Sequence, residues 1–465
     1  MRVLLCALVA LALALAGCDK PAPLPLAPFL PFESEELVVV VREGPLTYQR
    51  DDQGGVSGFE HDLLQLLARE LGKELRLVVA ADHREMMEWL DSGKAQLAAA
   101  GLVAEARDSV KFSDSLHEAD LVLVRHEESA PVRNVRQLDG RPFEVLAGSG
   151  IARALRRALP RASIIESPAS SQMALLERVA LRRAELAVAD SAHVDIAVNF
   201  FPVLESSLKL MPKMPLAWAV RADDPSGLLE KINAFIARMR ANGTLARVAD
   251  RYFGHVRRLN QEDVVQFLAR VETVLPRHRR LFQQAEEQTG LDWRLLAALA
   301  YQESHWDPLN TSPTGVRGIM MLTEETADRL GVSDRLDPLQ SIRAGARYLA
   351  DLRDALPPET QEPDRTWLAL AAYNLGLGHL NGARAIARSL KKDPDSWYEM
   401  KQVLPLLARP EYYARLKNGR ARGGEAVVMV ENIRTYFDIL QRYEAPHRPI
   451  FWPLDIRAKL SARAR

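Results

Sequence analysis

Through the first half of the chain, apolar residues come in short runs set between amphipathic segments. "LVVVV" (Leu37–Val41), "ELRLVVA", "AQLAAAG", "ADLVLV", "FEVLAG", "SIIES", "ELAVAD" and "LAWAV" each have the length and composition of a buried strand. Between the first two, "GFEHDLLQLLARELG" puts Leu63, Leu66, Leu67 and Leu71 on one helical face and stops at Gly72. "EMMEWLDSG" predicts another helix, and such alternation predicts an α/β domain with mostly parallel sheets over residues 36–254. From residue 255 the strand pattern fades. Helices are predicted over Asp263–Leu275, Leu281–Thr289, Asp292–Glu303, Glu324–Leu330, Pro338–Leu356, Thr366–Asn374 and Ala426–Tyr443. The expected fold class is therefore multidomain, an α/β half followed by a mostly helical half over 255–465, with no internal repeat.

Two helices of the second half break their own pattern. In "DWRLLAALAYQESHWDP" (292–308), Asp292 is placed to cap the N-terminus and Pro308 to prevent continuation. Leu296, Leu299 and Glu303 share one stripe, so a carboxylic acid ends an apolar face. Either a cation such as Arg317 pairs with it, or its pKa is raised and it becomes an acid able to donate at neutral pH. "WLALAAYNLGLGHL" repeats the pattern, with Asn374 continuing the stripe of Trp367, Leu370 and Ala371. Between them, "NTSPTGVRGIMMLTEETA" is turn-rich, with Gly315 and Gly318 allowing close backbone approach and Thr323 capping a helix. Two apolar helices that each bring one polar group inward would line a cleft.

Composition narrows the partners. Lys plus Arg and Asp plus Glu each total 61 in 465 residues, and no basic tract interleaves with aromatics, so nucleic acid is not an expected partner. The N-terminus, "MRVLLCALVALALALAGCDK", has one basic residue and then an apolar run of roughly 14 residues, the length of a signal-peptide core and too short to span a bilayer. Its end, Leu15-Ala16-Gly17-Cys18, resembles the bacterial lipobox, which implies removal of residues 1–17 and lipidation of Cys18. The alternative is an ordinary cleaved signal with an incidental cysteine. Cys6, the other cysteine, would leave with the leader, so no disulfide is expected. "PAPLPLAPFLPFESEE" reads as a semi-extended spacer, within a linker over 18–35. No HExxH, cysteine cluster or phosphate loop occurs, so neither metal nor cofactor is expected.

Glu303-Ser304, then "SPTGVRGIMMLTEETA", then Ala371-Ala372-Tyr373-Asn374-Leu375-Gly376 resemble the soluble-lytic-transglycosylase catalytic domain, a lysozyme-like helical fold. The usual middle motif of that family is G-x-x-G-L-M-Q, and Met321 stands at the Gln position. With "YQESHWDP" and the late "VENIRTYF", this departure resembles one membrane-bound subfamily; Met429 stands where an aromatic would be expected there. The resemblance implies a peptidoglycan lytic transglycosylase with Glu303 as its single acid/base. Glu303 would protonate the oxygen of the MurNAc–GlcNAc bond and then take the proton of the MurNAc C6 hydroxyl, giving a 1,6-anhydro end without water. A partner carboxylate is then unnecessary, and none is read in a second motif. Ser312, Tyr373 and Asn374 would hydrogen-bond sugar, and Met321 would supply van der Waals contact. Trp306 is either a sugar platform or a core residue, His305 a solvent or packing residue, and Asp307 a helix terminator.

"GVSGFEHDLLQLLARELG", "GLVAEARDSVKFSD" and "LAVAD" resemble the periplasmic solute-binding family 3, a two-lobed α/β fold. The resemblance implies that Arg107 grips a ligand carboxylate and Asp190 an ammonium, with Ser149 and Gly150 offering amides at a helix start. The alternative for Arg107 is an ion pair with Asp108 or Asp114. Ala104 and Leu116 depart from the family pattern, and a muropeptide or stem peptide is the economical ligand. The whole then reads as a lipid-anchored envelope enzyme facing the periplasm, at the inner leaflet of the outer membrane, acting on glycan strands. The competing reading is a non-catalytic sensor lipoprotein for wall fragments.

Overall fold

The computed structural model describes residues 35–50, 55–105 and 108–447; Arg107, Cys18 and the leader and spacer around Cys18 lie outside the described residues. The strands of the first half are β1 (Glu36–Val41), β2 (Gln49–Arg50), β3 (Val56–Ser57), β4 (Glu74–Val79), β5 (Leu97–Val103) and β6 (Val110–Phe112). They continue with β7 (His117–His126), β8 (Pro142–Leu146), β9 (Ser163–Ser167), β10 (Leu186–Asp190) and β11 (Leu204–Arg221). All but the β2–β3 hairpin join one sheet in the order β4-β1-β5-β11-β7-β10-β8-β9, with β6 beside β11. Its two ends are parallel: β4, β1 and β5 at one, β10, β8 and β9 at the other. Between them β7 and β11 run antiparallel to each other and to their neighbours. The expectation of mostly parallel pairing thus holds for each end and fails in the middle, where these long strands cross from one lobe to the other.

Helices cover the two ends. In order they are α1 (Phe59–Glu70), α2 (His83–Asp91), α3 (Ile151–Ala158), α4 (Gln172–Ala180), α5 (Ser191–Phe200), α6 (Leu228–Ala241) and α7 (Thr244–Phe253). Leu63 and Leu67 of α1 are buried against Val39 of β1 and Leu97 of β5, as the stripe predicted. The lobes also meet across their cleft. A Cβ on Gly148 would lie 2.8 Å from the Cβ of His83, and Arg157 pairs with the buried Glu105.

The second half comprises α8 (Gln261–Thr273), α9 (Leu275–Thr289), α10 (Trp293–Ser304), α11 (Glu324–Arg329), α12 (Pro338–Asp354) and α13 (Asp364–Leu375). After these come α14 (Leu377–Ser389), α15 (Trp397–Val403), α16 (Pro410–Tyr413) and α17 (Gly423–Tyr443). Every residue of α10 from Trp293 to Tyr301 is buried, so this helix runs through the core and shows no single apolar face. Trp306 resolves to a core residue, 1 % exposed, its Nε1–H donating to the carbonyl of Ala297 at 2.8 Å. No helix among the described residues is long and apolar enough to cross a membrane.

One helix ties the halves together. Along α17, Arg434 donates to the carbonyls of Asp250 (3.2 Å) and Arg251 (2.7 Å), and the Thr435 hydroxyl donates to the carbonyl of His255 at 3.0 Å. Further along, Asp438 meets His255 Nε2 at 2.6 Å, and the Tyr443 hydroxyl donates to the carbonyl of Phe200 at 2.5 Å. Arg434 itself is paired at 2.8 Å with Glu431, both buried, and Trp397 Nε1–H donates to the same carboxylate at 2.7 Å.

The start of α10 rests on Asp292, which accepts from the Arg294 amide at 2.8 Å and pairs with the Arg294 guanidinium at 2.6 Å. Asp292→Ala removes this cap from a core helix and should lower stability by about 1 kcal/mol. The measurement is the urea midpoint of the helical transition, and an unshifted midpoint would place the helix start elsewhere.

Candidate active site

Glu303 lies in the last turn of α10. Immediately after it the chain turns through two left-handed residues, His305 (φ 54) and Trp306 (φ 62), so the helix stops within two residues of the acid. Ser304 anchors that end, its hydroxyl lying 2.8 Å from the Ile319 carbonyl and 3.1 Å from that of Ala300. Asp307 accepts from the Leu309 amide at 2.9 Å, the turn-former expected of it. His305 is exposed, its ring 4.9 Å from that of Tyr301.

The glycine-rich segment closes over this end as a compact loop. Arg317 and Leu322 exchange backbone hydrogen bonds at 3.1 and 2.9 Å, and the Gly318 amide donates to the Asn310 carbonyl at 2.9 Å. Gly318 sits at φ 86, where a Cβ would lie 1.9 Å from the Arg335 carbonyl oxygen; no other residue fits. Met320 is buried in the core and Met321 is left-handed (φ 47) and half-buried.

Glu303 retains a partly open face, yet the protein around it pushes its carboxyl up to about 8, with burial as the cause. Among the described residues no hydrogen bond or ion pair engages the carboxylate. The alternative of a structural pair with Arg317 is set aside on that ground, and Arg317 is exposed. Tyr373 donates its hydroxyl proton to the Met320 carbonyl at 2.7 Å. Burial first, and then the charges of Glu303 and Tyr348, push its pKa well above the ordinary value, so it stays neutral beside the acid.

The open face of Glu303 looks onto a cleft of about 350 Å³, lined also by Gln302, Asn374, Glu425, Val428 and Met429. Asn374, expected on an inward-facing stripe, is exposed and reaches the cleft from the last turn of α13. Ser312 and Met321 are not among the lining residues; the Ser312 hydroxyl serves its own turn, accepting from the Val316 amide at 3.2 Å. Glu425 and Val428 come from α17 and were not anticipated. Their helix starts at the Gly423-Gly424 pair, packed closely on the chain before it: a Cβ on Gly423 would lie 1.9 Å from the Leu404 carbonyl oxygen. Glu425 brings a second carboxylate to the cleft, where the sequence offered none. It is 65 % exposed and 3.5 Å from Arg422.

Comparison with known proteins decides the family. Residues 37–255 match the bacterial extracellular solute-binding proteins, family 3, and residues 280–396 match the transglycosylase SLT domain. A protein of Methylobacillus flagellatus named membrane-bound lytic murein transglycosylase F is 45 % identical over 95 % of this chain and 94 % of its own length. A namesake from Nitrosospira multiformis is 42 % identical over 93 % of this chain and 91 % of its own. The chain belongs to the membrane-bound lytic murein transglycosylase F family. It is, as that membership implies, a peptidoglycan lytic transglycosylase with a solute-binding α/β half. Among solved structures, an ancestral arginine-binding protein bound to arginine is similar at 23 % identity, covering 47 % of this chain and 99 % of that one, with a TM-score of 0.43. That likeness assigns no ligand here.

The family's solute-binding half brings its expected residues to the lobe interface unequally. Ser149 is buried, its hydroxyl donating to the Leu146 carbonyl at 2.7 Å, and Gly150 (φ 87) opens α3 against the end of β5. Asp190 is fully buried and caps α5, accepting from the His193 amide (3.0 Å), His193 Nδ1 (2.8 Å) and Gln172 Nε2 (2.6 Å). Burial would raise its pKa, but His193 and Gln172 hold it below the usual carboxylate range. With the lobes as they stand, none of its surface is open to a ligand.

The Glu303 carboxyl gives a pH signature of known sign. An unfolded glutamate loses its proton near 4.5 and the folded one near 8, so the native state holds an extra proton between those values. The stability that the neutral form confers is complete below about 4.5 and is lost as pH rises through about 8. Stability of Glu303→Gln relative to wild type should therefore increase from pH 5 to pH 9 in paired denaturation curves. A constant difference would mean an ordinary, solvated carboxyl.

Proposed function

We propose that Glu303 is the sole acid/base of a non-hydrolytic cleavage of the MurNAc–GlcNAc β-1,4 bond. Protonated at neutral pH, it donates to the glycosidic oxygen as that bond breaks. The resulting glutamate then accepts the proton of the MurNAc C6 hydroxyl, whose oxygen closes on C1 to give the 1,6-anhydro end. Proton and electron pairs balance without water. The observation that carries this reading is an unpaired, raised-pKa carboxyl at the edge of a sugar-sized cleft. Asn374 in the cleft and Tyr373 beside the acid are suited to orient the sugar; Ser312 and Met321 would act from the adjoining loop.

Glu425 favours a second reading, in which an exposed carboxylate activates water and the enzyme hydrolyses the bond. Digestion of purified murein in H₂¹⁸O separates the two. Unlabelled anhydro ends are expected, and labelled reducing ends as the main product would establish the hydrolase. In the same assay Glu303→Gln should lower the rate by at least ~10²–10⁴-fold, the loss typical of one acid/base role. A variant keeping a tenth of wild-type release would remove Glu303 from the chemistry.

The division into an anchor and linker (18–35), a binding domain (36–254) and a catalytic domain (255–465) is part of the same proposal. Cys18 carries the lipid, and the enzyme faces the periplasm from the inner leaflet of the outer membrane. The binding domain takes muropeptides or stem peptides, Arg107 holding a carboxylate near the amides of Ser149 and Gly150. Asp190 would reach an ammonium by yielding one of its present donors. Helix α17 supports coupling, because it contacts residues 250–255 at and just after the end of α7 and also lines the Glu303 cleft.

Arg107→Ala should weaken stem-peptide binding by ~2–5 kcal/mol if that carboxylate is desolvated. It should also abolish any effect of stem peptide on murein cleavage while leaving the unstimulated rate near normal. Calorimetry and cleavage followed in parallel test this. A wild type that binds the peptide without a change in rate would reduce the α/β half to a tether.

A further inference from the structure

A cavity of about 660 Å³ lies between the two halves of the chain, apart from both sites described above. One wall is formed by α1 and α7, the other by α13, α15 and the segments preceding them, with Arg434 of α17. Its lining shares no residue with the Glu303 cleft and includes none of Ser149, Gly150 or Asp190. The volume is that of a small-ligand pocket.

The charged groups of the cavity fall into two sets. The first set is paired: the Arg251 guanidinium is 2.9 Å from Asp62 and 3.6 Å from Asp364, Arg434 is 2.8 Å from Glu431, Arg247 is 3.9 Å from Glu399, Asp395 is 2.8 Å from Arg384, and Asp250 pairs with Lys401. The second set has no such partners. Arg69 on the α1 wall and Glu359 and Asp393 on the opposite wall line the same space, and among the described residues no ion pair engages any of the three. Asp393 only accepts from the Asp395 amide at 2.9 Å. One unpaired guanidinium on one wall and two unpaired carboxylates on the other suit a molecule with an anionic and a cationic end.

We propose that this interdomain cavity binds a short zwitterionic peptide, with its carboxylate on Arg69 and its ammonium between Glu359 and Asp393. Tyr398 and Trp367 also line the cavity. The choice of a wall stem peptide as occupant rests on the murein reading, since those peptides carry both groups. Because the walls belong to different halves, such a ligand binds the docked arrangement in preference to a separated one.

The test is calorimetry of the purified full chain with the tripeptide L-Ala-γ-D-Glu-meso-diaminopimelate. Wild type is compared with Arg107→Ala and with a triple variant, Arg69→Gln, Glu359→Gln and Asp393→Asn. The asparagine keeps an acceptor for the Asp395 amide, and a thermal unfolding curve checks that the variant is folded. The triple variant should lose one binding event, weakened by roughly ten-fold or more, while Arg107→Ala keeps it. The proposal is overturned if wild type binds no tripeptide, if the triple variant binds as wild type does, or if Arg107→Ala removes all binding. A peptide-free MurNAc–GlcNAc disaccharide binding equally well in this cavity would also overturn it. Failure of the Glu303 chemistry would show in product analysis and would leave these titrations unchanged.

Discussion

A carboxyl group taken out of water must find donors, find a cation, or keep its proton. This chain meets that constraint in each way. Asp190 is charged because three donors surround it. Burial opposes the charge of Glu431, and Arg434 and Lys401 nevertheless hold its pKa below the ordinary range. Among the described residues Glu60 takes only the Gly101 amide, and burial pushes it up to about 8. Glu303 reaches the same value with no donor among the described residues, and of these four it lines the cleft at the end of α10. A raised pKa therefore does not single out the acid; the combination with an open face does. Glu60 is 3 % exposed and its proton has nowhere to go.

The second organising element is α17. Its first turns form a wall of the cleft, and its later turns hold the end of the α/β half by donating to the backbone carbonyls of Asp250, Arg251 and Phe200. Removing one partner of the buried Arg434–Glu431 pair leaves an uncompensated charge, at a cost of about 3–5 kcal/mol. That cost fixes the Arg434 guanidinium in the position from which it donates to the Asp250 and Arg251 carbonyls. The lobes meet the constraint of a continuous chain differently, through β7 and β11, which pair with each other while each also pairs antiparallel with the innermost strand of one parallel end.

Legibility followed the physics of each segment. Strands β1, β5 and β10 and the core helix α10 were plain in the sequence, because burial on all sides demands uninterrupted apolar runs and Asp292 marks a start. The first part of β11 was not, since "LESSLKLMPKMP" is half-exposed and holds two prolines, which argue against a strand. Helix α14 was missed because Gly378 and Gly382 weaken a helical reading, although they admit the side chains of Asn418 and Leu416. At the site, Glu303 was legible as an acid on an apolar run, whereas Glu425 was not: an exposed glutamate at a helix start is unremarkable until folding brings it to the cleft. Asn374 was assigned to the cleft for the wrong geometric reason, as part of a buried stripe, when it is the exposed end of its helix that reaches it.

The bonds from α17 to residues 250–255 bear on how such a chain can be divided or recombined. A catalytic fragment beginning after the last strand and helix of the α/β half would present Arg434 to solvent without the Asp250 and Arg251 carbonyls it now engages. A hybrid joined near residue 255 from two relatives would inherit α17 from one parent and its sockets from the other. The natural unit of exchange is therefore not either half alone. It is a half together with the partner surface of that helix, so the two parts are bound to change in step through descent.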